Sequence, residues 1–123
     1  SMEVKIVSSL NSAEILKSGN FEARAHTSSG NAKIVEKDDE VYLVFDEDFK
    51  TDVGPELHVL LTEHNDPKNS KNLHEGEYVD LGILKSTKGT QTYKVPKEKV
   101  GKFNTVSVYC KPFKVIFGIA KLK

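Results

Sequence analysis

Apolar and polar residues alternate along most of this chain. In "EVYLVFD", residues 40 to 46, Val41, Leu43 and Phe45 fall on one side while Tyr42 and Val44 fall on the other. That is the period of two that a β-strand imposes on its side chains. Similar runs occur in "NFEARAH", "NAKIVEK", "ELHVLLTEH", "EYVDLGIL", "TQTYKV", "NTVSVYC" and "KVIFGIAKL", each bounded by Gly, Pro, Asn or Asp turn residues. Strands spaced by roughly ten residues, with no long helical pattern between them, predict an all-β domain. The expectation is an antiparallel β-sandwich of jelly-roll or Greek-key type with about 8 to 10 short strands, favoured over a barrel.

One short N-terminal helix is expected in "NSAEILKSG", residues 11–19, where Ser12 can cap, Glu14 adds acid to the first turn and Gly19 can end it. "SSGN" and "STKGT" read as tight turns, with Gly30 and Gly89 free to take positive φ. "HNDPKNSKNLHEGE", residues 64–77, reads as a long exposed loop, mobile or a tolerated insertion and only secondarily a binding loop.

No repeat, low-complexity segment or composition shift divides the chain, so residues 1–123 are read as one domain. A chain of this length can bury roughly two thirds of its unfolded surface without metals or disulfides. Eighteen Lys plus Arg balance eighteen Asp plus Glu, which leaves no global field to draw in phosphate backbones, and no nucleic-acid partner is expected. No run approaches the roughly eighteen apolar residues of a membrane helix, and the start lacks a signal pattern. Ser1-Met2 reads as the remnant of a cleaved tag, which leaves room for a native signal peptide or lipid anchor upstream.

His26, His58, His64 and His74 show neither the helical spacing nor the His/Cys clustering of a zinc site. His64 and His74 lie in or beside the 64–77 loop and read as solvated, and His58 sits on the more polar face of its strand. His26, just before the "TSSG" turn, either anchors that turn or faces a site at the rim, with the anchoring role ahead. "FDEDFKTD" crowds Asp46, Glu47, Asp48 and Asp52 around Lys50. It fits no calcium-loop signature and reads as a solvated acidic turn. "KVPKEKVGK" is too short and too poor in aromatics for nucleic acid. Without a phosphate loop, nucleophile elbow or paired carboxylates, a hydrolase is not expected, and a stand-alone enzyme is the less favoured reading.

Cys110 is the one cysteine, so an internal disulfide is impossible, and a bond to another chain, a reactive thiol and a buried bystander all stay open. Val106, Val108 and Cys110 share one strand face, while Ser107, Tyr109 and Lys111 share the other. The phase favours a core position, where a thiol behaves as a small hydrophobe. Two features pull the other way: Lys111 would activate the thiol if its ammonium reached the sulfur, and Pro112 ends regular pairing there.

Four blocks, "GNFEARAHTSSGNAKIV", "LVFDEDFKTDVGPELHVLL", "DLGILKSTKGTQTYKVP" and "NTVSVYCKPFKVIFGIAKL", resemble in order those of the electron-transfer DM-thirteen domain family. The likeness runs from about Gly19 to Leu122. It includes Phe21, His26, Gly30, Phe49, Gly54-Pro55 and Gly89, and above all Cys110 followed by Phe113, Phe117 and Gly118. Tyr109 stands where the family often has tryptophan. The resemblance implies a single-domain bacterial form, secreted, periplasmic or lipid-anchored, with electron transfer through haem or thiol chemistry. It casts Cys110 as the redox or cofactor-ligating group, leaves His26 as the companion candidate for the cofactor, and leaves the redox or protein partner unidentified. No C-x-x-C-H haem-attachment motif is present. Because no resolving cysteine exists, a two-cysteine oxidoreductase is disfavoured unless a partner supplies the second thiol. The alternative is a non-catalytic secreted binding module whose core contains Cys110.

Overall fold

The computed structural model describes residues 2–123; Ser1, read from sequence as part of a tag remnant, lies outside the described residues. The chain runs α1 (Met2–Leu10), β1 (Glu14–Ala23), β2 (Ser28–Ser29), β3 (Asn31–Lys37), β4 (Glu40–Phe45), β5 (Lys50–Thr51), β6 (Leu57–Thr62), α2 (Ser70–Leu73), β7 (Tyr78–Ile83), β8 (Gln91–Val95), a 3₁₀ turn (Lys97–Lys102), β9 (Thr105–Cys110) and β10 (Val115–Lys121). Eight strands form one antiparallel sheet in the order β7-β6-β9-β10-β1-β3-β4-β8, and β2 pairs with β5. The expected antiparallel all-β fold is present. Its two halves face each other as sandwich layers do, but they are one continuous sheet, coiled almost into a barrel.

β1 makes that coiling possible. Its first part, Glu14 to Asn20, pairs with β3, and Phe21 to Ala23 pair with β10. One strand thereby serves both halves. At the other ends of the sheet, edges β7 and β8 are drawn together by their connection. Leu84 N–H donates to Leu57 O and Lys85 N–H to the Tyr93 hydroxyl, which donates to Gln91 Oε1 at 2.5 Å. Burial pushes the Tyr93 phenol well above its ordinary range, so it stays a donor.

The helix expected at 11–19 is not there: residues from Glu14 onward are strand, and the N-terminal helix is α1. A bulge between Ile15 and Lys17 breaks the alternation that would have revealed the first part of β1, while pairing with β3 outweighs the weak local capping signals; the end of β1 lies in the strand run "NFEARAH" as expected. α1 uses Ile6 and Leu10, one helical turn apart, to cover Val35 and Val44 on the outer face of β3 and β4. Its Glu3 accepts the N–H of Thr92 on edge strand β8.

Residues 64–77 are not a free loop either. Asn69 caps α2 through Asn72 N–H, and Leu73 is buried with Leu60, Tyr109, Ile116 and Ile119 on the outer face of β6, β9 and β10. Arg24 donates to Asp66 at 2.6 Å and to Pro67 O at 2.9 Å. The segment is a strap that turns both faces of this part of the sheet into interior, which is why every residue of β6 and β9 is buried.

Hydrogen bonding from Lys68, with help from Lys121, holds the Asp66 carboxyl down to about 2. A carboxyl whose folded pKa is depressed stabilises the fold above its unfolded value and ceases to as pH falls through the folded one. The strap is therefore expected to loosen between about pH 4 and pH 2. Carboxyl-carbon NMR should find Asp66 titrating near 2, with strap amides losing protection over the same range, and an ordinary midpoint would refute these contacts.

Candidate functional site

The turn after β1, the β5–β6 loop and the β9–β10 turn converge at one end of the barrel. They enclose a groove of about 510 Å³ lined by His26, by Val53, Gly54 and Pro55, and by Cys110, Phe113, Val115 and Phe117. The two candidate site residues, distant in sequence, are thus brought together.

Cys110 closes β9 and forms the floor. It is 1% exposed, packs in the main core with Val106 and Val108, and its S–H donates to Pro55 O at 3.3 Å. The alternation read from sequence therefore holds. His26 forms a wall: its ring stacks on Phe117 at 3.9 Å between centroids and 24° between planes, and Nδ1 lies 3.0 Å from Asp52 Oδ2. Gly54 lets the wall close, since a Cβ there would lie 2.6 Å from Phe117 Cζ. Val53 and Phe113 stand exposed on the rim.

Lys111 does not reach the sulfur. Its ammonium is 2.9 Å from Asp80 Oδ2, whose hydrogen bond raises the lysine above its ordinary value. The condition under which Lys111 would activate the thiol is therefore not met. Pro112 belongs to the four-residue turn after β9, and the turn's exposed tip is Phe113.

His58, read as lying on a polar face, is buried in a charged cluster. Nδ1 is 2.9 Å from Asp80 Oδ2, and Nε2 is 3.3 Å from Glu56 Oε1. Burial would raise Asp80, but Lys111, His58 and the Gly82 N–H together hold its carboxyl below the ordinary value. Sequence reasoning missed the cluster because its members sit on three separate segments, the start of β6, β7 and the end of β9. The pairing of β6 with β7 and β9 was the signal that would have found it.

His64 accepts from Asp66 N–H, and His74 sits edge-on to Tyr78. The acidic turn is used structurally: Asp48 accepts Asn31 N–H, Asp46 pairs with Lys33, and Asp52 holds His26. Among the described residues no group of His, Cys, Asp and Glu could hold a metal ion. Haem, raised by the family resemblance, needs an unobstructed axial sulfur or nitrogen. Cys110 keeps its proton on Pro55 O beneath the surface, and His26 lies flat on Phe117 with one nitrogen on Asp52. The pair does not fit an axial ligand set.

Burial of a satisfied thiol predicts that Cys110→Ser costs about 1 to 3 kcal/mol, read by denaturant unfolding. Unchanged stability would contradict the floor position.

The fold and groove define a small antiparallel β module with one protected thiol at a barrel end. The family model described as Electron transfer DM13 matches residues 20–122, and the chain belongs to that family. α1 and the first part of β1 lie outside the match. No curated protein and no solved structure matches the chain.

Proposed function

We propose that this domain serves electron transfer outside the cytoplasm, with Cys110 as its redox group reached through the groove. The observation that carries this reading is the meeting of Cys110 and His26 at one apolar-rimmed groove in a member of an electron-transfer family. The chemistry open to a single thiol is exchange with a partner's disulfide. The Cys110 thiolate attacks one sulfur, the S–S bond breaks, a mixed disulfide forms, and the departing thiolate takes a proton. A second thiol, from outside because the chain has one cysteine, then releases Cys110. Extracytoplasmic placement rests on the likeness to secreted and lipid-anchored members, and fractionation of cells expressing the natural gene tests it.

The second reading is a binding module in which Cys110 only packs, and the burial of the sulfur favours it. Native protein incubated with glutathione disulfide separates the two. Under the redox reading mass spectrometry finds the mixed disulfide forming faster than global unfolding, by local opening of the groove. Formation only at the unfolding rate leaves Cys110 structural.

A further inference from the structure

We propose that Glu56, His58, Asp80 and Lys111 form a proton-operated latch that sets access to Cys110. The inference rests on the redox reading of the groove only for its purpose, because the latch itself is defined by geometry.

The cluster sits at the two segments that cover the sulfur. Pro55, whose carbonyl accepts the Cys110 S–H, is followed at once by Glu56, and Glu56 reaches back to His58 Nε2. Lys111 follows Cys110 directly and reaches Asp80. Leu57 lies opposite Cys110, and His58 opposite Tyr109, in the β6–β9 pairing. The Pro55 carbonyl that holds the thiol and the Glu56 nitrogen belong to one peptide unit, so a backbone shift at Glu56 is felt at that carbonyl.

The arms are unequal. Asp80 is fixed three ways, by Gly82 N–H at 2.8 Å, by Lys111 at 2.9 Å and by His58. The Glu56 side chain is 57% exposed, and His58 is its only hydrogen-bond partner among the described residues. From the other elements packed on His58, the register partners Ile83 and Tyr109 bring an apolar side chain and a hydroxyl committed to Ser70. No further charged group bridges to the imidazole among the described residues.

An imidazolium offers two N–H donors and satisfies both carboxylates, whereas a neutral imidazole offers one. Imidazole is the side chain that changes charge between pH 5 and 8. The remaining proton stays on the shorter, better anchored Asp80 contact, and the Nε2 lone pair then faces a Glu56 oxygen. Two acceptors repel, Glu56 swings into solvent, and the Pro55–Glu56 turn loosens over the sulfur. The latch is closed in acid and open in base.

The test measures labelling of native Cys110 by iodoacetamide from pH 5 to 8.5, beside an NMR titration of the His58 ring. In wild type the labelling rate should carry, on top of the smooth rise from thiol ionisation, a step of about fivefold at the ring's midpoint, the scale of one lost charge-assisted hydrogen bond at a partly exposed site. In Glu56→Gln the amide can donate to neutral Nε2 and accept from the charged ring, so the step should vanish. The exposure of Glu56 makes this variant safe to fold. A profile with no step at the ring's midpoint, or the same step in Glu56→Gln, overturns the latch. A step with no mixed disulfide from glutathione disulfide keeps the latch and removes the redox reading, so the two failures are distinct.

Discussion

Replacing Gly30 by alanine is expected to destabilise the domain by about 3 kcal/mol or more, enough to threaten a fold whose whole margin is of order 5 to 15 kcal/mol. Two costs combine. Gly30 has φ +98°, outside the comfortable range of any residue with a Cβ. An added Cβ would also lie 2.5 Å from Phe49 Cα and 2.6 Å from Asp48 O, backbone atoms that cannot rotate aside. Gly89 separates the costs: its φ is +91°, but nothing lies within 4 Å of a built Cβ. Gly89→Ala should lose only the conformational part, about 1 to 2 kcal/mol. Chemical denaturation of the two variants side by side checks the difference, and equal losses would mean that the approach of residues 48 and 49 to Gly30 is not as close as described.

Phe45→Ala is expected to cost about 3 to 5 kcal/mol. Phe45 is fully buried and its ring lies 5.0 Å from that of Phe21, 4.5 Å from Phe49 and 5.6 Å from Tyr93. Removing it leaves a void between the Phe21 ring, which meets it edge to face, and the tilted rings of Phe49 and Tyr93, which cannot all move in. Phe113 has the same side chain at the groove rim, 69% exposed, and Phe113→Ala should stay within about 0.5 kcal/mol of wild type. Thermal or urea midpoints suffice to compare them. A large loss at Phe113 would show that the rim supports the fold and is not free to meet a partner.

What the sequence revealed follows from where the cause of each feature lies. β3, β4, β9 and β10 were legible because one face of each lines the main core and local alternation records it; Val41, Leu43 and Phe45 do lie together there. Gly30 was legible as a turn residue, but its contact with Phe49 was not, because nothing local encodes the approach of a distant loop. Only the first part of β1, up to Gly19, was misread, because the bulge at Ile15 and Lys17 interrupts its period, whereas "NFEARAH" marked the rest as strand. The 64–77 segment was misread because one leucine, Leu73, anchors an otherwise polar run, and a single apolar residue has no periodicity. At the site, the phase of "NTVSVYC" placed Cys110 inward, and the family likeness singled out His26, whereas the His58 cluster depends on sheet neighbours far apart in the chain.

The central position of β1 bears on how the molecule is made. Its residues 21–23 have their strand partners in β10, where Phe21 meets Ala120 and Ala23 meets Gly118. A nascent chain cannot close the sheet until β10 has been synthesised, and pairing so distant in sequence is slow to nucleate. During that interval the apolar faces of β3, β4 and β6 have no β10 to complete the interior, so the emerging polypeptide stays open to chaperones and to wrong strand partners. Only the arrival of β10 ends this exposure.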